Sequence, residues 1–172
     1  IDLKKEVIEH YNNISKKLNF NNLSFIYGDV IDYENKDEID MVISLHACNT
    51  ATDIAILKAL GWNAKVFFAV PCCQKEINSQ LGNEFLPFML KHGIIKEKFS
   101  TLLTDSIRSE VLEAFGYKSD IVEFISEENT PKNQLIRAYK NSTKLDKEKI
   151  KQIEKFTSSL NIKMFLLDEV AK

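Results

Sequence analysis

The sequence predicts an α/β domain, a doubly wound and mostly parallel sheet with an antiparallel strand pair near its C-terminal end. Three observations carry this. Short apolar runs alternate with amphipathic stretches, two of those runs are followed at once by clusters of reactive polar residues, and two further β-rich runs flank one polar connection.

Val7, Tyr11, Ile14 and Leu18 recur at helical spacing, which predicts a helix from about Leu3 to Leu18 lying over one sheet face. Leu23 to Tyr27 is a short β-rich run ending at Gly28-Asp29. Ile39 to Leu45 and Ala64 to Val70 read as buried parallel strands. The helix between them runs from Asp53 to Leu60, with Thr50 or Thr52 as N-cap and Gly61 as its stop. From Lys75 to Gly116 the pattern is helical with two interruptions. Phe85 to Lys91 predicts a short helix ended by Gly93. Ile95, Phe99, Leu102, Leu103, Ile107, Val111 and Phe115 predict a longer one, broken at Asp105-Ser106. Ile121 to Ile125 and Gln134 to Tyr139 are the antiparallel pair, and Lys147 to Leu160 forms a last helix with Ile150, Ile153, Phe156 and Leu160 on one face.

Composition narrows the class. With 172 residues, 44% of them hydrophobic, one domain is expected. No run approaches the roughly 18 apolar residues of a membrane span, and the start lacks the pattern of a signal peptide, so the expectation is a cytoplasmic protein without a membrane partner. A formal net charge of -2 argues against strong non-specific attraction to a polyanion, though it leaves RNA open as a substrate. Lys144, Lys147, Lys149, Lys151 and Lys155 interleave with Asp146, Glu148 and Glu154, the pattern of a solvated helix face. Of three cysteines two are adjacent, which builds no disulfide framework; reduced thiols are expected.

The chemistry concentrates in His46-Ala47-Cys48-Asn49-Thr50-Ala51-Thr52-Asp53 and in Pro71-Cys72-Cys73-Gln74. Each cluster follows a predicted strand, and ligands of open α/β sheets bind outside the carboxyl ends of the strands. His46 is a candidate general base or a packed histidine bridging strand ends. Asp53, with Thr50 and Thr52, is expected to bond the backbone N–H groups of the turn and helix start. Cys72 and Cys73 admit three readings. They line a pocket, attack a pyrimidine ring together with Cys48, or bind metal with His46 and Cys48; the spacing departs from that of zinc deaminases.

Both clusters, with Thr130-Pro131-Lys132-Asn133 ahead of the last strand, resemble a class I S-adenosylmethionine-dependent methyltransferase family. The likeness is to its Cys-Cys subgroup of bacterial methyltransferases and eukaryotic methyltransferase-like, rRNA adenine dimethylase-like proteins. More distantly, the first cluster is similar to tRNA ribose methyltransferases with a His-x-Cys-x-x-Ala-Thr-Asp stretch. The resemblance spans Ile1 to about Lys140.

It implies a Rossmann-like fold with S-adenosylmethionine as cofactor and an RNA acceptor. Asp2, at a strand end, would take the cofactor ribose, although it also suits a helix N-cap. Asp29, followed by Val30, would hold the adenine amino group, although it also suits an ordinary turn. His46, Cys48 and Asn49 would lie beside the reactive methyl, in place of the Asn-Pro-Pro-aromatic motif of amino-directed enzymes. Cys72 and Cys73 join them as catalytic candidates. Gln74, Lys132 and Asn133 are the substrate candidates, and the helical stretch after the Ala64 to Val70 strand would lie over the substrate side.

The resemblance also implies a first strand and Gly-rich turn ahead of Ile1, so the chain reads as the C-terminal part of a methyltransferase domain. The five glycines are scattered and form no G-x-G. Absent strands would leave unpaired edges, predicting a dimer through exposed strands or a loose amino-terminal third. A zinc-binding structural module and a catalytically inactive binding domain are the rival readings.

Overall fold

Residues 1–35, 37–47, 50–82, 86–126, 128–130 and 132–172 are described by the computed structural model. The chain divides into two compact units, Ile1–Asp37 and Glu38–Lys172.

In the first unit, α1 (Lys5–Lys17) turns Ile8 and Ser15 inward. Asn19, with φ 58°, ends it in the left-handed conformation that asparagine tolerates at a helix C-terminus. The 23–27 run forms no strand of a sheet. It is held instead by the amide of Asn12, whose Nδ2 donates to Phe25 O at 2.8 Å and whose Oδ1 accepts from Phe25 N at 2.9 Å. Tyr11 stacks on Phe25 with ring centroids 5.4 Å apart. One parallel bridge joins Asp2 to Tyr27.

The second unit carries β1 (Met41–Leu45), α2 (Thr50–Gly61), β2 (Val66–Val70), α3 (Lys75–Gln80), α4 (Pro87–Leu90) and α5 (Gly93–Ala114). After these come β3 (Tyr117–Glu123), β4 (Gln134–Lys140), α6 (Lys147–Ser159) and α7 (Phe165–Val170). The sheet order is β1-β2-β4-β3. Within this sheet, as far as the described residues show, β1 and β2 run parallel, while β4 runs antiparallel to both β2 and β3. The expected mostly parallel sheet is therefore corrected to a mixed one, and the C-terminal antiparallel pair is present as expected.

Alternation along the strands sorts the two faces. Phe67, Ala69, Ile136 and Ala138 are fully buried and pair as Phe67 with Ala138 and Ala69 with Ile136. They share a core with Ile56 and Ala59 of α2, Val111 and Leu112 of α5, and Met164 and Leu166 near the C-terminus. Met41, Ile43 and Leu45, the alternate positions of the outer strand β1, are exposed. In β2, Phe68 meets Tyr139 edge to face at 5.8 Å.

Helix bounds differ from the sequence reading at instructive places. Thr50 and Thr52 lie inside α2 rather than capping it, and Thr52 Oγ1 donates to Ala47 O at 2.7 Å. Phe85, where the short helix was expected to begin, lies outside the described residues; α4 occupies Pro87–Leu90. Gly93 opens α5 rather than closing the helix before it. Asp105-Ser106 makes no break, because Asp105 is buried in an ion pair. By contrast, Asp146 caps α6 by accepting from Lys149 N at 3.0 Å.

Two backbone segments approach closely at the α5–β3 corner. Gly116 has φ 84°, and a Cβ added there would stand 2.2 Å from Ser142 O. Ser142 N and Asn141 N both donate to Gly116 O, which locks the two segments together. Beside it Tyr117, nearly buried, donates to Ala64 O at 2.6 Å, with Lys140 Nζ 4.5 Å from its ring centroid. Burial holds the Lys140 amine below its usual range.

Gly116→Ala is expected to lower the stability of the protein by about 2 kcal/mol or more, through left-handed strain and the collision with Ser142. Gly61→Ala, which meets nothing within 4 Å, is expected to leave stability within about 0.5 kcal/mol of the parent. Urea unfolding of both variants checks the contrast, and equal losses would contradict it.

Candidate functional site

The parallel register of β1 and β2 brings their carboxyl ends side by side, Leu45 opposite Val70. One residue further, His46 N donates to Val70 O at 3.3 Å. His46 has φ 53°, a left-handed conformation in which histidine is enriched among non-glycine residues, and its side chain is exposed. This residue turns the chain off the strand toward α2. Cys48 and Asn49, the next catalytic candidates, lie outside the described residues.

Asp53 departs from its expected role. It is 0% exposed, and its Oδ1 accepts from Arg108 Nε at 2.7 Å instead of bonding the local backbone. Arg108 Nη1 also donates to Asp105 Oδ1 at 3.0 Å, so one guanidinium stands between two buried carboxylates on α2 and α5. Burial pushes both carboxyls above their ordinary range, with Arg108 pulling the other way. Asp53 Oδ2 accepts no hydrogen bond among the described residues.

The network continues to the end of β2. Gln74, also buried, donates from Nε2 to Asp105 Oδ2 at 3.4 Å and accepts from Thr101 Oγ1 at 3.1 Å. Between Val70 and Gln74 come Pro71 and the two cysteines, both partly exposed, their Sγ atoms 3.7 Å apart.

Beside this turn lies a cleft of 370 Å³. Pro71 forms one wall, and Glu97, Lys98, Thr101, Leu102 and Asp105 of α5 form another. Lys132, Asn133 and Gln134 close the third side, because β4 runs antiparallel to β2 and begins where β2 ends. Lys132 Nζ pairs with Glu97 Oε1 at 2.6 Å. Asn133 is 2% exposed and fixes the β3–β4 connection, donating from Nδ2 to Ile125 O at 3.0 Å while its backbone O accepts from Phe124 N at 3.1 Å.

The structure thus gathers Lys132 and Asn133 at one cleft and ties Gln74 to two of its lining residues. Cys72 and Cys73 sit in the segment that joins Pro71 to Gln74. Asp2, Asp29 and Val30 belong to the first unit. There Asp2 N donates to Ile26 O and Gly28 N to Asp2 O, so Asp2 and the Gly28-Asp29 pair lie at neighbouring ends of two parallel segments. Asp2 Oδ1 accepts from Lys4 N at 2.8 Å, but Lys4 rather than Asp2 occupies the N-cap of α1. Asp29 Oδ1 accepts from Ile31 N at 3.0 Å in a local turn.

Sequence reasoning missed Arg108, Asp105, Thr101 and Glu97. The available signal is a pair of opposite charges, Asp105 and Arg108, three residues apart within an otherwise apolar-periodic helix, at the place where Asp105-Ser106 suggests a break.

Residues 1–80 match a family model described as a methyltransferase domain, which supports a methyltransferase. The match covers the first unit, β1, α2, β2 and α3. The cleft walls on α5 and at the start of β4 lie beyond it. No curated protein matches the chain.

Replacing Arg108 by Met is expected to cost about 3–5 kcal/mol near neutral pH, because two buried carboxylates lose their counter-charge. The loss is expected to shrink as the carboxylates protonate on acidification. In the parent, carboxyls raised by folding bind more protons in the folded state. Their contribution is therefore complete below the unfolded pKa and is lost as pH rises through the folded one. Asp105→Asn removes one such group, so its stability is expected to fall less steeply with pH just above the ordinary carboxylate range. Chemical unfolding across pH measures both effects, and a parallel curve for Asp105→Asn would contradict the assignment.

Proposed function

We propose that this chain carries the catalytic region of a class I methyltransferase that uses S-adenosylmethionine and methylates RNA. The supporting observation is the cleft at the carboxyl end of β2, to which charged and amide side chains contribute, in a chain whose first 80 residues match a methyltransferase domain. Fold alone does not fix function, so the proposal rests on the side chains at this place.

The first unit offers acceptors suited to the cofactor. Asp2 and Asp29 are exposed carboxylates at neighbouring segment ends. Carboxylates accept hydrogen bonds, and ribose hydroxyls and an adenine amino group donate them. Asp2 would hold the ribose, and Asp29 with Val30 the adenine. S-adenosylmethionine, when bound, supplies a methyl group activated by its sulfonium.

The remaining work falls to the protein. His46, at the end of β1, is the residue assigned to take the proton from the acceptor hydroxyl or amine, a task to which imidazole chemistry is suited. Gln74 is held from two sides by Thr101 and Asp105, and Asn133 is held by Ile125 O, so the polar groups around the cleft are fixed before an acceptor arrives. Such preorganisation supplies much of the rate in a displacement that needs in-line alignment. Lys132 and Lys98 give the rim positive charge for a phosphate, with Glu97 as the partner a phosphate would displace from Lys132.

Calorimetric titration with S-adenosylmethionine, using the longest natural form of the protein that contains this chain, tests the reading. Micromolar binding weakened at least tenfold by Asp2→Ala is expected. Absence of binding to the parent would overturn it in favour of an inactive binding domain, and stoichiometric zinc whose removal unfolds the protein would favour a structural metal module.

A further inference from the structure

Adjacent residues of an extended chain point their side chains to opposite sides. Cys72 and Cys73 do not. They lie in the irregular segment between β2 and α3, and their Sγ atoms converge to 3.7 Å, both partly exposed. That separation is far from the roughly 2.0 Å of a disulfide. Closing one would also be strained, since neighbouring Cα atoms stand only about 3.8 Å apart, inside the usual span of a bridge. The distance does fit another geometry. Two thiolates bound about 2.3 Å from one tetrahedral centre stand about 3.8 Å from each other.

We infer that Cys72 and Cys73 form a bidentate dithiol site for a thiophilic centre, of the class of soft divalent cations and trivalent arsenic. The two sulfurs already stand at chelating distance, so binding needs little rearrangement of the Pro71 to Gln74 turn, and thiolate is the preferred ligand of soft ions. With a monosubstituted arsenic oxide the chemistry balances without a redox step. Two S–H bonds and the arsenic–oxygen bonds break, two As–S bonds form, and one water leaves with both protons. With a divalent cation, two thiol protons are released and solvent completes the coordination. Cys48 is not required. The inference stands on the dithiol geometry alone and does not depend on methyl transfer.

Phenylarsine oxide is the probe for the arsenic chemistry. Treated with one equivalent and digested with trypsin, the fully reduced protein is expected to carry the phenylarsenic group on the peptide Val66–Lys75, which contains both cysteines and neither of them free. The adduct is expected to resist a monothiol and to be reversed by a dithiol. Cys72→Ser and Cys73→Ser should each abolish monothiol-resistant labelling, while Cys48→Ser keeps it. In parallel, Cd²⁺ is expected to bind the parent with a thiolate-to-metal absorption that falls by about half in either single variant. Labelling that a monothiol reverses, an adduct that requires Cys48, or no cadmium absorption from the reduced parent would overturn the inference. The peptide mapping uses the parent protein, so it stands even if a serine variant fails to fold.

Discussion

A guanidinium with 1% of its surface exposed has to be neutralised where it stands, and Arg108 is neutralised by Asp53 on α2 and Asp105 on its own helix. Such a group costs several kcal/mol to desolvate, so it persists only where geometry and further hydrogen bonds compensate. Here the geometry joins parts far apart in sequence. Asp53 follows the end of β1, Arg108 sits in the middle of α5, and Asp105 reaches through Gln74 and Thr101 to the segment that leaves β2. The helix that walls the cleft is thereby tied to the turn beyond one strand and the helix beyond the other.

That constraint explains why the cleft lies where it does. A parallel β1–β2 pair puts two turns at one end of the sheet, and an antiparallel β4 adds the start of its own strand to the same end. Polar side chains of α5 and of the start of β4, with Pro71 after β2, then surround one space, while the sheet face beneath α2 and α5 is mainly apolar. Functional groups held from behind by buried polar partners lose little entropy on meeting a substrate, which is the physical value of such a scaffold. Among the described residues no helix is long and apolar enough to cross a membrane.

The strands were legible because their apolar content is local. Val66–Val70 and Met41–Leu45 read correctly to within two residues, and the antiparallel pair was visible from two β-rich runs around a polar connection. Strand direction is not local, so the antiparallel pairing of β4 with β2, which leaves β1–β2 as the parallel ladder of the sheet, was not legible beforehand. The 23–27 run shows the limit from the other side: β-rich composition suggests a strand, but Phe25 bonds the side chain of Asn12, Leu23 O accepts from Ser15 Oγ, and a single bridge to Asp2 takes the place of a ladder. Asp53 was misassigned for a similar reason. Its neighbours suggested a local turn, whereas its partner lies 55 residues along the chain. Gln74, Lys132 and Asn133 were singled out from the sequence, yet the buried partners that hold Gln74 and the α5 wall beside Lys132 became visible only with the fold.

The most direct test of the functional account is transfer of a labelled methyl group from S-adenosylmethionine to RNA, measured with the protein in its longest natural form and with its His46→Ala variant. The account predicts label that ribonuclease releases and that falls at least a hundredfold in the variant, in line with the loss of a general base. Label found only on protein, or RNA labelled equally by the variant, would contradict it.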